Sequence, residues 1–228
     1  MRPSTPYRTL CALALALLTA CSTAPRPPSA ALLPPTPATA QAAAAYDAGM
    51  DVFHPVVAKN GMVATEQALA TRIGLEVLQS GGNAVDAAVA VGFALAVALP
   101  NAGNIGGGGF MLVHEAASGQ SVALDFRETA PASAQRSMYL DAQGQVIDGK
   151  SLYTHHAVGV PGTVAGLTHA LQQWGTLPLA HVLQPAIDLA EQGYPVSTTL
   201  AQALERAQTT MGRWPATQAI FWKNGAPL

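Results

Sequence analysis

One side chain that could do chemistry in this sequence is Arg127, in the segment Asp125-Phe126-Arg127-Glu128 at the end of a strand-like run. Only 11% of the 228 residues are charged, against roughly 25% in an average soluble domain. The planar guanidinium of arginine can hold a carboxylate through two parallel hydrogen bonds. The same side chain could instead form an ordinary surface ion pair with Asp125 or Glu128. The residues alone leave a carboxylate-binding site and a surface ion pair as alternatives.

A run of four glycines, Gly106–Gly109, precedes this segment. Consecutive glycines cost backbone entropy, which suggests that the fold uses them. They could form a turn with positive φ, allow close backbone packing, or aim N–H groups at an anion. A nucleotide-binding loop is not indicated, because no Lys-Ser/Thr follows and the run precedes a strand instead of opening a helix.

Other kinds of site find little support in the composition. The six histidines lack metal-ligand spacing, and no G-x-S-x-G motif is present, so we predict no metal or cofactor. The two cysteines, Cys11 and Cys21, are too few for a disulfide framework. The formal net charge of −2 argues against a nucleic-acid partner, which would require a basic surface.

The first 21 residues have the pattern of a secretory signal: early arginines, an apolar run over 10–18, and small residues at its end. The segment Leu18-Thr19-Ala20-Cys21 resembles a bacterial lipobox, which implies cleavage before Cys21 and lipidation of its thiol. The alternative is an ordinary signal with a coincidental cysteine. Ser22 then favours the outer membrane, so we expect a periplasmic, lipid-anchored protein. Residues 22–51, rich in Ala and Pro, predict a tether without helix or sheet.

Residues 52–228 are expected to fold. Apolar residues at helical spacing predict an amphipathic helix from Ala64, ended by Gly81-Gly82. Asn83 offers an N-cap for the next helix, with Asp86 at its third position. The uncharged stretch 87–99 predicts a central core helix.

A hairpin, further helices and an α/β or α+β fold class are predicted downstream. The strands are 110–114 and 121–126, joined around Ser118-Gly119. The helices are one after Val160-Pro161-Gly162 that runs to Trp174-Gly175, one from Pro185 to Gly193, and one over Thr199 to Met211.

Several motifs in one order resemble the gamma-glutamyltransferase (glutathione hydrolase) family. They are Gly61–Ala64, Gly81–Ala88, Gly103–Phe110, Asp125–Pro131, Gly159–Gly166 and Gln184–Ala186. The resemblance runs from about Pro55 to the end of the chain and identifies it as the N-terminal part of the large subunit.

The resemblance implies a precursor that cleaves itself into a large and a small subunit, which together form an αββα sandwich of N-terminal-nucleophile hydrolases. The new N-terminal threonine attacks the γ-glutamyl carbonyl of glutathione or its conjugates. The γ-glutamyl group then passes to water, an amino acid or a peptide. In the family, the arginine of the Phe-Arg-Glu motif holds the substrate's α-carboxylate, which assigns that role to Arg127. Asp125 and Glu128 are then expected to support the loop.

The chain ends at Leu228, inside what the resemblance implies to be the large subunit. We therefore expect the nucleophile and the small-subunit partner beyond Leu228. No catalytic residue is assigned within the chain, and we expect 1–228 alone to be inactive and to expose surface that the partner covers. Two alternatives stay open: an acylase-like or poly-γ-glutamate-processing enzyme on the same scaffold, and a non-catalytic lipid-anchored binding module.

Overall fold

The structure, a computed structural model, describes residues 56–227. The signal segment, Cys21, the tether and the start of the folded region near Val52 lie outside the described residues. The helices that follow are α1 (Ala68–Gln79), α2 (Ala84–Ala98), α3 (Lys150–Tyr153), α4 (Thr163–Trp174), α5 (Leu179–Gln192), α6 (Thr198–Met211) and α7 (Pro215–Phe221). The strands are β1 (Phe110–Glu115), β2 (Gln120–Asp125), β3 (Trp222–Lys223) and β4 (Ala226–Pro227).

Helix α1 begins four residues later than the apolar pattern indicates. The Gln67 side chain accepts hydrogen bonds from the backbone N–H groups of Leu69 and Ala70 and so caps the helix. Its apolar face, with Ile73 and Val77, is buried against α2. The chain leaves the helix through Gly81 at φ +97°, the left-handed region expected for the first glycine of the pair.

Helix α2 is the centre of the core, as the uncharged stretch 87–99 predicts. It packs against α1, α4 and α5. Its alanines Ala90 and Ala94 are fully buried, which lets neighbouring helices approach closely. Asn83 and Asp86 form the predicted cap, with each side chain bonded to the other residue's backbone N–H.

Strands β1 and β2 form the predicted antiparallel hairpin, with Gly119 at φ +70° in its turn. One face of the hairpin packs on the core through Met111, Val113 and Leu124. Within the described residues this sheet has two strands, so neither outer edge is paired with another strand.

Helix α5 differs from the prediction that it begins at Pro185. It starts at Leu179, after Pro178, and contains Pro185 in its interior; its end at Gly193 is as predicted. Proline has no N–H, so Pro185 cannot donate to the carbonyl of His181 four residues earlier. The helix continues through Pro185 because its apolar face is buried against α2.

The last described residues form a smaller cluster around the buried Leu200, Leu204 and Trp222. Helix α6 begins one residue before the predicted start and ends at the predicted Met211. In residues 56–227, no helix combines the length and the apolar character needed to cross a bilayer.

Candidate functional site

Arg127 lies two residues after the end of β2, where the chain leaves the hairpin. Its side chain is 64% exposed, and its Nε donates to Oε2 of Glu128 at 3.3 Å. Its backbone N–H donates to Oδ1 of Asp125 at 2.9 Å. The ion pair considered from the sequence is therefore present, but it occupies only the Nε edge. Among the described residues, the two terminal Nη groups have no hydrogen-bond partner, so the edge suited to a carboxylate is open.

The glycine run serves close packing, the second of the three uses considered. All four glycines lie within the described residues, and none has a positive φ. The backbone of Gly109 pairs with that of Phe126 through N–H···O contacts of 3.4 and 3.0 Å. A Cβ on Gly108 would lie 2.5 Å from the carbonyl oxygen of Phe126 and 2.7 Å from the nitrogen of Glu128. Only glycine at 108 leaves room for the Arg127 segment.

A second glycine-rich segment, Gly159–Gly166, approaches from the other side. The carbonyl of Gly107 accepts hydrogen bonds from the N–H groups of Gly162 and Thr163, at 2.8 and 3.0 Å. Thr129 and Val160 form an antiparallel bridge with N···O distances of 3.2 and 2.8 Å. These contacts hold the start of α4 against the Arg127 loop.

The ring of Phe126 fixes this junction. A Cβ on Gly166, in α4, would overlap Cγ of Phe126, and a Cβ on Gly109 would lie 3.0 Å from the same ring. Three motifs that are far apart in sequence thus meet around Phe126. Arg127 is the next residue, so the packing of Phe126 fixes the position of the Arg127 backbone.

A cavity of about 370 Å³ opens beside Arg127. The residues that line it include Arg127, Glu128, Tyr139 and His156. The Tyr139 hydroxyl donates to the backbone carbonyl of His156 at 3.0 Å, which ties these two residues together. A small anionic ligand bound in this space would lie beside the Arg127 side chain.

Asp86 has a second role that the sequence analysis missed. Its carboxylate is fully buried and accepts hydrogen bonds from the N–H and hydroxyl of Thr176, at 2.9 and 2.7 Å. It also accepts from the N–H groups of Leu177, at 3.0 Å, and Asn83, at 2.8 Å. Burial alone would raise the pKa of Asp86, but these hydrogen bonds outweigh burial and hold the pKa below its ordinary value.

The same residues connect α2 to the turn between α4 and α5. Asn83 donates from Nδ2 to the carbonyl of Trp174 at 2.6 Å. A Cβ on Gly175 would lie 2.8 Å from Oδ1 of Asp86, so this glycine leaves space for the carboxylate. The cap motif was visible in the sequence, but nothing in it marked partners about 90 residues away. Since α4 carries Gly166, this connection supports the Arg127 junction indirectly.

The part of the chain that the structure describes contains no candidate metal-binding site. No group of three or more His, Cys, Asp or Glu side chains there could hold a metal ion.

Comparison with known proteins defines the class. Residues 70–228 match the family model described as Gamma-glutamyltranspeptidase. The chain is 52% identical over 201 residues to a glutathione hydrolase proenzyme of Escherichia coli, covering 88% of this chain and 34% of that protein. It is 40% identical over 180 residues to an Acylase ACY 1 proenzyme of a Pseudomonas species, covering 76% of this chain and 32% of that protein.

A crystal structure of gamma-glutamyltranspeptidase from Helicobacter pylori has the same fold, with a TM-score of 0.72 and 47% identity. The match covers 75% of this chain and 49% of that chain. The chain belongs to the gamma-glutamyltranspeptidase family. The mixed helix and strand architecture confirms the expected partial N-terminal-nucleophile hydrolase fold. The chain spans about a third of the length of the curated relatives it matches.

Proposed function

We propose that this chain is the N-terminal part of a glutathione hydrolase that cleaves γ-glutamyl amide bonds. The observation that carries the proposal is the geometry of Arg127, which lines a cavity and whose Nε is held by Glu128 while its Nη groups have no hydrogen-bond partner among the described residues. Relatives at 52% and 46% identity that carry the name glutathione hydrolase proenzyme support it.

In this proposal Arg127 binds the α-carboxylate of the γ-glutamyl group through two charge-assisted hydrogen bonds. The threonine nucleophile lies beyond Leu228, in the small subunit, and becomes N-terminal when the precursor cleaves itself. Its hydroxyl oxygen attacks the γ-carbonyl carbon, and its own amine takes the proton. The amide bond breaks, and the protonated amine leaves. Water, an amino acid or a peptide then releases the γ-glutamyl group from the threonine.

Replacement of Arg127 tests the proposed role of its guanidinium. In the complete precursor, we expect Arg127→Ala to raise the KM for a γ-glutamyl anilide about 100-fold, because two charge-assisted hydrogen bonds are lost. Arg127→Lys should raise the KM by a smaller factor, since lysine keeps the positive charge but lacks the planar guanidinium. The measurement is steady-state release of the aniline.

The matched control is the same anilide with its α-carboxylate converted to an amide. The unmodified enzyme should discriminate strongly against this compound, and Arg127→Ala should discriminate little. If Arg127→Ala lost the same fraction of kcat/KM on both substrates, Arg127 would have a structural role.

Sequencing the DNA downstream of the Leu228 codon tests whether a nucleophile is encoded there. A stop codon with no second reading frame nearby would contradict the enzyme proposal.

An acylase-like activity is the second candidate, because an acylase proenzyme matches at 40% identity. A poly-γ-glutamate-processing enzyme would share the α-carboxylate and hence the use of Arg127. An acylase acting on amides without an α-carboxylate would not require Arg127. The substrate pair above therefore separates an acylase from the leading proposal. A non-catalytic binding module would bind glutamate through Arg127 but release no aniline.

We also propose that Cys21 carries a lipid that anchors the protein at the periplasmic face of a membrane, as the lipobox-like segment suggests. Acyl chains would hold it through buried CH₂ groups worth about 0.8 kcal/mol each. Cys21→Ala should move the protein from the membrane fraction to the soluble periplasmic fraction. Mass spectrometry that finds an unmodified thiol on Cys21 would contradict the anchor.

A further inference from the structure

The guanidinium of Arg127 has an aromatic neighbour that the proposed function does not use. Its Cζ lies over the ring of Phe110, 5.8 Å from the ring centroid. A cation within about 6 Å of a ring centroid is attracted by the negative face of the ring. Phe110 is 64% exposed, so the core does not account for this large apolar side chain.

The hairpin register explains why these two residues meet. Phe110 is paired with Asp125, and Arg127 is two residues further along the same face. Diagonal neighbours on an antiparallel pair lie within reach of aromatic and long side chains. The backbone pairing of Gly109 with Phe126 places Gly108 opposite Arg127. Since Gly108 has no side chain, the Arg127 side chain can extend over that position and contact the ring of Phe110.

We propose that Phe110 is a positioning residue for Arg127. Glu128 holds the Nε edge at 3.3 Å, and Phe110 supports one face of the guanidinium. Together they leave the Nη edge free and restrict the rotamers of a side chain that is otherwise 64% exposed. A preorganised arginine loses less entropy when it binds a carboxylate. This inference rests on the proposed function, in which that carboxylate is the α-carboxylate of the substrate.

The test is a kinetic comparison in the complete precursor. We expect Phe110→Leu to raise the KM for the γ-glutamyl anilide about two- to fivefold and to leave kcat within about twofold, because an exposed cation–π contact is modest. Phe110→Tyr keeps the ring and should restore the original KM. The α-amide substrate should show no change in KM. In an Arg127→Ala background, Phe110→Leu should have no further effect.

Trp214→Leu is the matched control. It removes an exposed ring that lies 5.0 Å from the Cζ of a different arginine, Arg213. It should leave the KM unchanged. The inference is overturned if Phe110→Leu affects the α-amide substrate equally, if its effect persists without Arg127, or if Phe110→Tyr fails to restore the KM.

A second measurement does not depend on catalysis. In NMR spectra of the complete precursor, the Nε–H proton of Arg127 should carry a ring-current shift that Phe110→Leu removes and Phe110→Tyr keeps. Absence of that shift overturns the inference about Phe110. Absence of γ-glutamyl cleavage by the unsubstituted precursor, or an unchanged KM in Arg127→Ala, instead contradicts the proposed function.

Discussion

Asp86 combines complete burial with a negative charge. A buried carboxylate is costly unless hydrogen bonds replace its lost hydration. Here Thr176, Leu177 and Asn83 supply those donors, and the pKa of Asp86 lies below its ordinary value despite burial. The carboxylate therefore contributes to stability only while it is ionised.

Asp86→Asn should destabilise the protein by about 2 kcal/mol, because the amide nitrogen would face the N–H of Asn83, which loses its acceptor. The folded-state pKa is lowered, so this contribution is complete above the unfolded-state pKa of Asp86. It is lost as pH falls through the folded-state pKa. Chemical denaturation of the complete precursor between pH 7 and pH 3 measures both effects, and the variant should lose less stability on acidification.

The control for this variant is Asp188→Asn, which changes a carboxylate whose partner is the Gln184 side chain at 2.7 Å on α5. It should change stability by less than about 0.5 kcal/mol, as is usual at the surface. If Asp86→Asn changed the free energy of unfolding as little as Asp188→Asn, the hydrogen bonds of Asp86 would not stabilise the fold.

Single residues were only partly predictable. The cap formed by Asn83 and Asp86 follows from local sequence, since a capping box spans four consecutive residues. The contacts of Asp86 with Thr176 and Leu177 join residues about 90 positions apart and depend on the packing of three helices. The open edge of Arg127 could not be read from the sequence either, because the sequence does not decide which guanidinium nitrogen meets Glu128.

At the scale of elements, the glycine run offers a matched pair of substitutions. Gly108→Ala would bring a Cβ within 2.5–2.8 Å of backbone atoms of Phe126, Arg127 and Glu128. Gly106→Ala would meet nothing within 4 Å. We expect Gly108→Ala to cost about 2 kcal/mol or more, as overpacking against backbone does, and to raise the KM for substrates with an α-carboxylate.

Gly106→Ala should be neutral or stabilise by up to about 1 kcal/mol, because alanine restricts the unfolded chain. Thermal unfolding and the anilide assay measure both variants of the complete precursor. Equal effects of the two substitutions would contradict the close-packing role of the run.

Elements with a strong local pattern are predicted well from the sequence. Helix α2 and the hairpin follow from an uncharged run and from two strand-like segments joined at Gly119. The sequence predicts too late a start for helix α5, because Pro185 suits a first helical turn locally, whereas the helix begins at Leu179. Burial of the α5 apolar face against α2 overrides that preference, and such tertiary packing is not visible in a local pattern.

At the scale of the whole molecule, the hairpin has a second apolar face. Phe110 and Leu112 lie on it, and Leu112 is 83% exposed. Within residues 56–227 both outer edges of the hairpin are unpaired, and an exposed apolar face with such edges favours association with another sheet. In the proposed function, the rest of the precursor covers this face at Leu112, while Phe110 keeps its contact with Arg127.

We therefore expect residues 22–228 expressed alone to self-associate. Leu112→Lys should reduce that association, because it places a charge on the exposed face. Ile220→Lys, at an exposed position on α7, should have a smaller effect. Sedimentation velocity measures the association, and a monomeric 22–228 that melts cooperatively would contradict the expectation.

The bridge between Thr129 and Val160 has a consequence for how this family can vary. The bridge joins the two ends of a segment of about thirty residues. Gly144 lies in an exposed turn near the middle of that segment in sequence. The cost of closing a loop grows only slowly with its length, and here the closure is fixed by backbone hydrogen bonds. Extra segments inserted at Gly144 would thus leave the Arg127 junction in place. The turn at Gly144 is a position where a new recognition element or a reporter can be attached without replacing the cavity-lining residues Tyr139 and His156.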